Sequence, residues 1–218
     1  RSSLIALRPS ARRALRCTIS TLPPSTSPLT VSSNVRAQFE EDGFVMMEGL
    51  LPMSTVEALL SRYDKLFAGD FPTGIYPDEW HWREGISKPE AFREIVNAWK
   101  CDPIVASVVL SADIGRATSE LMGWAGARVG QDDILWKPPG GSEVAFHTDA
   151  AYISDQFYPR DENSVTVWIA LDDADEETGV VEYAPGSHRW SRASETGAAV
   201  ESTFHGSDDY QSALREAA

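Results

Sequence analysis

The chain has 218 residues, of which 42% are hydrophobic and 24% charged, with a formal net charge of −14. That composition can build a globular core. It holds no run of about 20 apolar residues of the kind that crosses a bilayer, and a pI near 4.6 argues against a phosphate-neutralising nucleic-acid binder. Two cysteines, Cys17 and Cys101, are too few for a disulfide framework.

The charge is unevenly placed. No Asp or Glu precedes Glu40, and six arginines there carry +6, so the remainder carries −20. Residues 1–33 form an Arg-rich, Ser-rich, acid-free leader, the composition of a mitochondrial or plastid transit peptide, with a disordered basic tail as the plain alternative. Residues 34–218 form the acidic domain.

The leader gives way to a regular pattern. Ser33 can cap a short helix stopped by Gly43, and Phe44 to Leu51 reads as a strand running into a turn. Ser54 to Glu57 has the form of a capping box, followed at helical spacing by Val56, Leu59, Leu60, Tyr63 and Leu66 up to Gly69. Phe71, Tyr76, Trp80 and Trp82 fall in an irregular aromatic loop. A second capping box, Ser87 to Glu90, predicts a helix carrying Phe92, Ile95, Val96 and Trp99 on one face. Asp102-Pro103 opens another helix, and Ile114 to Met122 a further one.

Strands are predicted at Arg128–Lys137, Phe146–Ile153, Ser164–Leu171 and Val180–Ala184, separated by Gly-, Pro- and Asp-rich turns. Helices followed by antiparallel strands predict an α+β domain whose sheet half is a jelly roll or barrel.

His147-Thr148-Asp149 carries the chemistry. On a strand, residues two apart share a face, so His147 and Asp149 converge. One imidazole and one carboxylate, with a second histidine from elsewhere, make the 2-His-1-carboxylate triad of non-haem Fe(II) oxygenases. A bare His-x-Asp is also what a solvated polar pair at a strand end looks like.

The surrounding motifs narrow the reading. They are the Lys137-Pro-Pro-Gly140 loop, the Val167-Trp-Ile-Ala-Leu171 strand, the Asp173-to-Gly179 turn, the Pro185-Gly-Ser-His188 turn and the opening Phe39-to-Val45 pattern with its Asp-Gly-Phe-Val. In this order they resemble the phytanoyl-CoA dioxygenase family, over roughly Val35 to the end.

The resemblance implies N-terminal helices packed on a double-stranded β-helix (a cupin-like jelly roll), Fe(II) as metal, and 2-oxoglutarate and O2 as cosubstrates. It implies His147 and Asp149 as iron ligands, and Trp168, Lys137 and Thr148 near 2-oxoglutarate. Arg93 stands nearest the position where some members place a lysine toward that cosubstrate. Asp149 favours hydroxylation over halogenation, because the halogenating relatives lack this carboxylate.

The remaining candidates are Tyr152, which can face a substrate or simply pack, and His188 and His205, which the resemblance places in structural and connecting turns. The third ligand, a distal histidine, and the basic residue that grips the far carboxylate are expected beyond Ala218. That makes the chain an incomplete domain, inactive alone.

The expected partner is a small organic or lipid-like molecule. An acidic body disfavours a polyanionic acyl-CoA. A metal-binding cupin-like protein without oxygenase activity and a non-catalytic jelly-roll module are the competing classes.

Overall fold

The computed structural model describes residues 3–8, 29–141, 143–147, 149, 164–175, 177–189, 212, 215 and 216. Its described residues form an α+β arrangement of four helices and six strands in two three-stranded sheets.

Helix α1, Ser33–Asp42, begins one residue later than its cap. Ser32, not Ser33, accepts from the Val35 amide. Gly43, at φ +83°, ends it in the left-handed conformation that glycine adopts without a Cβ penalty. Strand β2, Phe44–Glu48, follows.

Helix α2, Met53–Phe67, starts at Pro52, which lends no side-chain cap, so Ser54 lies inside the helix and the expected capping box does not form. The apolar stripe does form as expected: Val56, Leu59, Leu66 and Phe67 are buried.

The predicted helix after Ser87 is instead strand β4, Arg93–Val96, followed by a 3₁₀ turn, Ala98–Lys100. Ser87 closes a turn by accepting from the Arg83 amide. The β-branched Ile95-Val96 pair then joins an antiparallel sheet between β3, Glu79–Trp80, and β5, Asp133–Trp136, with Ile95 opposite Ile134. Tertiary pairing of two β-branched residues overrides the weaker capping signal.

Helix α3, Pro103–Val109, is capped by Asp102, which accepts from Ile104 and Val105 amides at 2.8 and 3.1 Å. Asp102 also pairs with Arg62 Nε at 2.6 Å and is fully buried, so α2 and α3 are pinned through one carboxylate. Helix α4, Ala112–Met122, is capped by Ser111 and ended by Gly123. The larger core gathers Leu66, Phe67, Ile95, Ala98, Cys101 and Ile134.

The second sheet is parallel where antiparallel strands were expected: β2, β1 (Ser3–Arg8) and β6 (Val165–Ile169) in the order β2-β1-β6. Residues 3–8 therefore have strand backbone within the stretch that composition marks as a leader. Phe39, Val45 and Leu121 form a smaller core under Val165, Val167 and Ile169.

Of the predicted strands, Arg128–Lys137 forms only at Asp133–Trp136, as β5, and Ser164–Leu171 at Val165–Ile169, as β6. Phe146, His147 and Asp149 are not in a strand, nor are Val180–Ala184. A closed jelly roll is not formed by the described residues. None of the described helices is long and apolar enough to cross a membrane.

Candidate active site

An open cleft runs between the β4–β5 sheet and β6, and His147 and Asp149 both line it. The approach to it is set by Lys137-Pro-Pro-Gly-Gly141, where the Gly141 amide returns to the Pro138 carbonyl at 3.0 Å. Two consecutive prolines withhold amide donors and end β5, and Gly140 at φ +76° turns the chain.

The two side chains converge although neither residue lies in a strand. His147 Nε2 is 3.5 Å from Asp149 Oδ1. Nδ1 of the same ring contacts the Ala145 carbonyl at 2.9 Å. That contact makes Nδ1 the protonated nitrogen and orients Nε2 toward the carboxylate. The other carboxylate oxygen, Asp149 Oδ2, accepts from Thr166 Oγ at 2.5 Å.

Burial opposes charge on both groups, but their mutual bond prevails. His147 is raised above the ordinary imidazole value by Asp149 and the Ala145 carbonyl, against desolvation. Asp149 is held below the ordinary carboxylate value, again against desolvation, by bonds from His147 and Thr166. A cation bound at this pair would compete with the proton on its donor atoms.

Thr166 is the residue that sequence reasoning missed. On β6 it alternates with Val165, Val167 and Ile169, which pack against the smaller core, so Thr166 and Trp168 share the other face of the strand. Trp168 is thereby on the same face of β6 as Thr166, and it also lines the cleft.

Lys137 also lines the cleft. Its ammonium lies against Gly179, where a Cβ would come within 2.9 Å of Nζ, and Gly179 has φ +77°. The glycine of the acidic turn is therefore required twice, by conformation and by the lysine that crosses it. Within that turn Asp175 accepts from the Glu177 and Thr178 amides, both at 3.0 Å, so it shapes the loop.

Arg93 does not face the cleft. It sits opposite Trp136 in the β4–β5 register, on the face that buries Ile95 and Ile134, and its guanidinium is over Trp82 and Trp136 at 3.9 and 4.4 Å. Alternation sends Glu94 and Leu135 to the other side.

His188 lies in a 3₁₀ turn, Ser187–Arg189, docked on the end of α1. Its ring covers Gly43, the Gly186 amide donates to Asp42 O at 2.8 Å, and Arg189 donates to Glu41 O at 2.6 Å. The turn therefore satisfies the last carbonyls of α1. Among the described residues no group of three His, Cys, Asp or Glu side chains gathers to hold a metal. Thr148, Tyr152 and His205 lie outside the described residues.

An imidazole and a carboxylate thus meet at one point of a cleft on an α+β scaffold. The family model described as phytanoyl-CoA dioxygenase (PhyH) matches residues 39–217, and the chain belongs to that family. The family is cupin-like in general, and its members are generally Fe(II)- and 2-oxoglutarate-dependent.

Curated relatives agree at lower identity. The chain is 26% identical over 190 residues to the phytanoyl-CoA dioxygenase domain-containing protein 1 of Bos taurus, and 27% over 190 residues to that of Danio rerio. Each match covers 69% of this chain and 63% of the relative. The homologue from Caenorhabditis briggsae is 24% identical over 191 residues, 72% of this chain and 65% of the relative. The chain thus spans less than two thirds of the length of these relatives. No solved structure matches it.

Proposed function

We propose that the protein is a non-haem iron dioxygenase that hydroxylates a small organic or lipid-like substrate on a cupin-like jelly roll, with His147 and Asp149 as two of three metal ligands. The observation that carries this reading is the 3.5 Å approach of His147 Nε2 to Asp149 Oδ1. Two ligands each about 2.1 Å from one ion and at right angles lie about 3 Å apart. The donor pair is therefore close to the bite a metal needs. Its oxygen and nitrogen donors suit Fe(II) better than a soft, thiolate-bound ion.

Fe(II) bound there, with 2-oxoglutarate and O2, supplies the oxidant that converts a substrate C–H to C–OH while 2-oxoglutarate becomes succinate and CO2. The chain's own part is positional. Ala145 and Thr166 hold the imidazole and the carboxylate, and a distal histidine completes the set. Lys137 offers a positive charge to a 2-oxoglutarate carboxylate, and Trp168 stands beside it.

The net charge of −14 supports a substrate that is not a polyanionic thioester. The acid-free leader supports delivery to a mitochondrion or plastid, checked by the destination of a fluorescent reporter carrying residues 1–33.

The test is succinate release from 2-oxoglutarate. Release that requires Fe(II) and is abolished by His147→Ala supports the oxygenase. Metal binding without succinate assigns a cupin-like metal protein, and absence of both assigns a non-catalytic module.

A further inference from the structure

Strand β1 stands between two strands that have no other strand partner among the described residues. Residues 4–8 pair in parallel with Phe44–Glu48 of β2, and residues 3–7 with Val165–Ile169 of β6. The family match covers β2 and β6 but begins at residue 39, so β1 is an element that the matched domain does not itself bring.

Neighbouring strands lie about 4.8 Å apart, so β2 and β6 stand about 10 Å from each other across β1 and cannot share a hydrogen bond. With β1 withdrawn, β6 keeps one attachment, the packing of Val165, Val167 and Ile169 against Phe39, Val45 and Leu121. The backbone edge that faced β1 loses its partners, and β6 must move by about 5 Å to find those of β2.

That motion reaches the metal-ligand pair through one residue. Thr166, opposite Leu4 in the register, donates to Asp149 Oδ2 at 2.5 Å. A hydrogen bond does not survive a displacement of several ångströms. Residues 9–32 separate β1 from α1, enough chain for β1 to leave its slot without unwinding the helix.

We propose that β1 is a conformational device acting on the metal-ligand pair. Docked, it braces β6 and lets Thr166 hold Asp149; withdrawn, it releases both and weakens metal binding. This rests on the reading of His147 and Asp149 as metal ligands. It also requires that residues 3–8 stay attached in the working protein, whether or not the leader directs targeting.

Coupling between docking and binding is reciprocal. If docked β1 raises the affinity for Mn(II), used as the probe metal, then bound Mn(II) holds β1 in place by the same factor. Hydrogen exchange on the full chain, with and without saturating Mn(II), reads this without any substitution. Amides of residues 3–8 should exchange about tenfold more slowly with the metal, the order of effect that a lost supporting bond has on metal affinity. Ile5→Pro, which removes an amide in the middle of β1 and breaks its pairing, should weaken Mn(II) binding by about tenfold and speed exchange at residues 165–169. Ser10→Pro, in the same leader but outside β1, should do neither.

Equal exchange of residues 3–8 with and without Mn(II) overturns the proposal, as does Mn(II) binding to Ile5→Pro within twofold of the parent. A strand with a structural role alone would protect residues 165–169 and leave Mn(II) affinity untouched. If the parent binds no Mn(II), the metal-ligand reading fails, and metal-free exchange at residues 165–169 in Ile5→Pro judges the bracing of β6 by itself.

Discussion

Asp102 and Asp149 are both carboxylates withdrawn from solvent, and the two halves of the molecule use them differently. Asp102, fully buried between α2 and α3, accepts from Arg62 and from two backbone amides of α3. Both of its oxygens are engaged by groups whose own positions depend on the helices. Asp149 keeps a side chain 22% exposed at the cleft, with one oxygen bonded to Thr166 and the other only facing His147 at 3.5 Å. The first carboxylate is saturated and holds the scaffold together. The second is oriented but left with an oxygen for a ligand.

The sharpest way to break this contrast is to delete each carboxylate in turn. Asp102→Ala leaves Arg62 with only the more exposed Asp70 and α3 without a cap, and should cost about 3 kcal/mol of stability. Asp149→Ala should change stability by less than about 1 kcal/mol, because the partner Thr166 is a hydroxyl that water can satisfy. Metal binding should reverse the order, surviving in Asp102→Ala wherever it folds and failing in Asp149→Ala. Urea denaturation with and without Mn(II) reads both. Equal stability losses would mean that Asp149 is part of the scaffold too.

A smaller effect separates orientation from mere presence. Thr166→Val keeps the shape of β6 but removes the donor to Asp149 Oδ2, and loss of such a supporting bond costs about 10–100-fold in metal affinity. Thr166→Ser restores the hydroxyl and should recover most of it. If valine and serine bind Mn(II) alike, Asp149 is held by the loop and not by β6.

How far each half could be read from sequence follows the same division. The stripe of α2, the Asp102-Pro103 start of α3 and the glycine end of α1 are local signals, and the structure repeats them. The segment after Ser87 misled because its capping residues are local while the pairing of Ile95 with Ile134 is not. Convergence of His147 on Asp149 was legible from their spacing alone, even though the strand that was to deliver it is absent at both residues. Thr166 was not legible as a site residue. A threonine in a strand acquires meaning only when its partner is visible in space. Arg93 shows the converse: its charge suggested the cleft, and the register of β4 against Trp136 sends it the other way.

Asp132 tests the scaffold half by pH. One oxygen accepts from the Trp99 amide at 3.2 Å while the other is buried without a partner. Burial raises its carboxyl to about 6, partly offset by the Trp99 and Ala98 amides and by Lys100. A folded-state value above the ordinary value near 3.9 means that the native state binds the proton more tightly than the unfolded chain. Its contribution is therefore fully present below about pH 4 and is lost as pH rises through about 6. The loss should amount to about 1–2 kcal/mol after allowance for partial exposure. Asp132→Asn, which cannot ionise, should flatten the stability profile across that window and leave the slope below pH 4 as it was. Asp149 titrates in the opposite sense, since its value is lowered. If Asp132→Asn leaves the pH 4–6 slope unchanged, the buried oxygen of Asp132 is solvated in solution, and the scaffold half is more open at the β5 entry than its packing indicates.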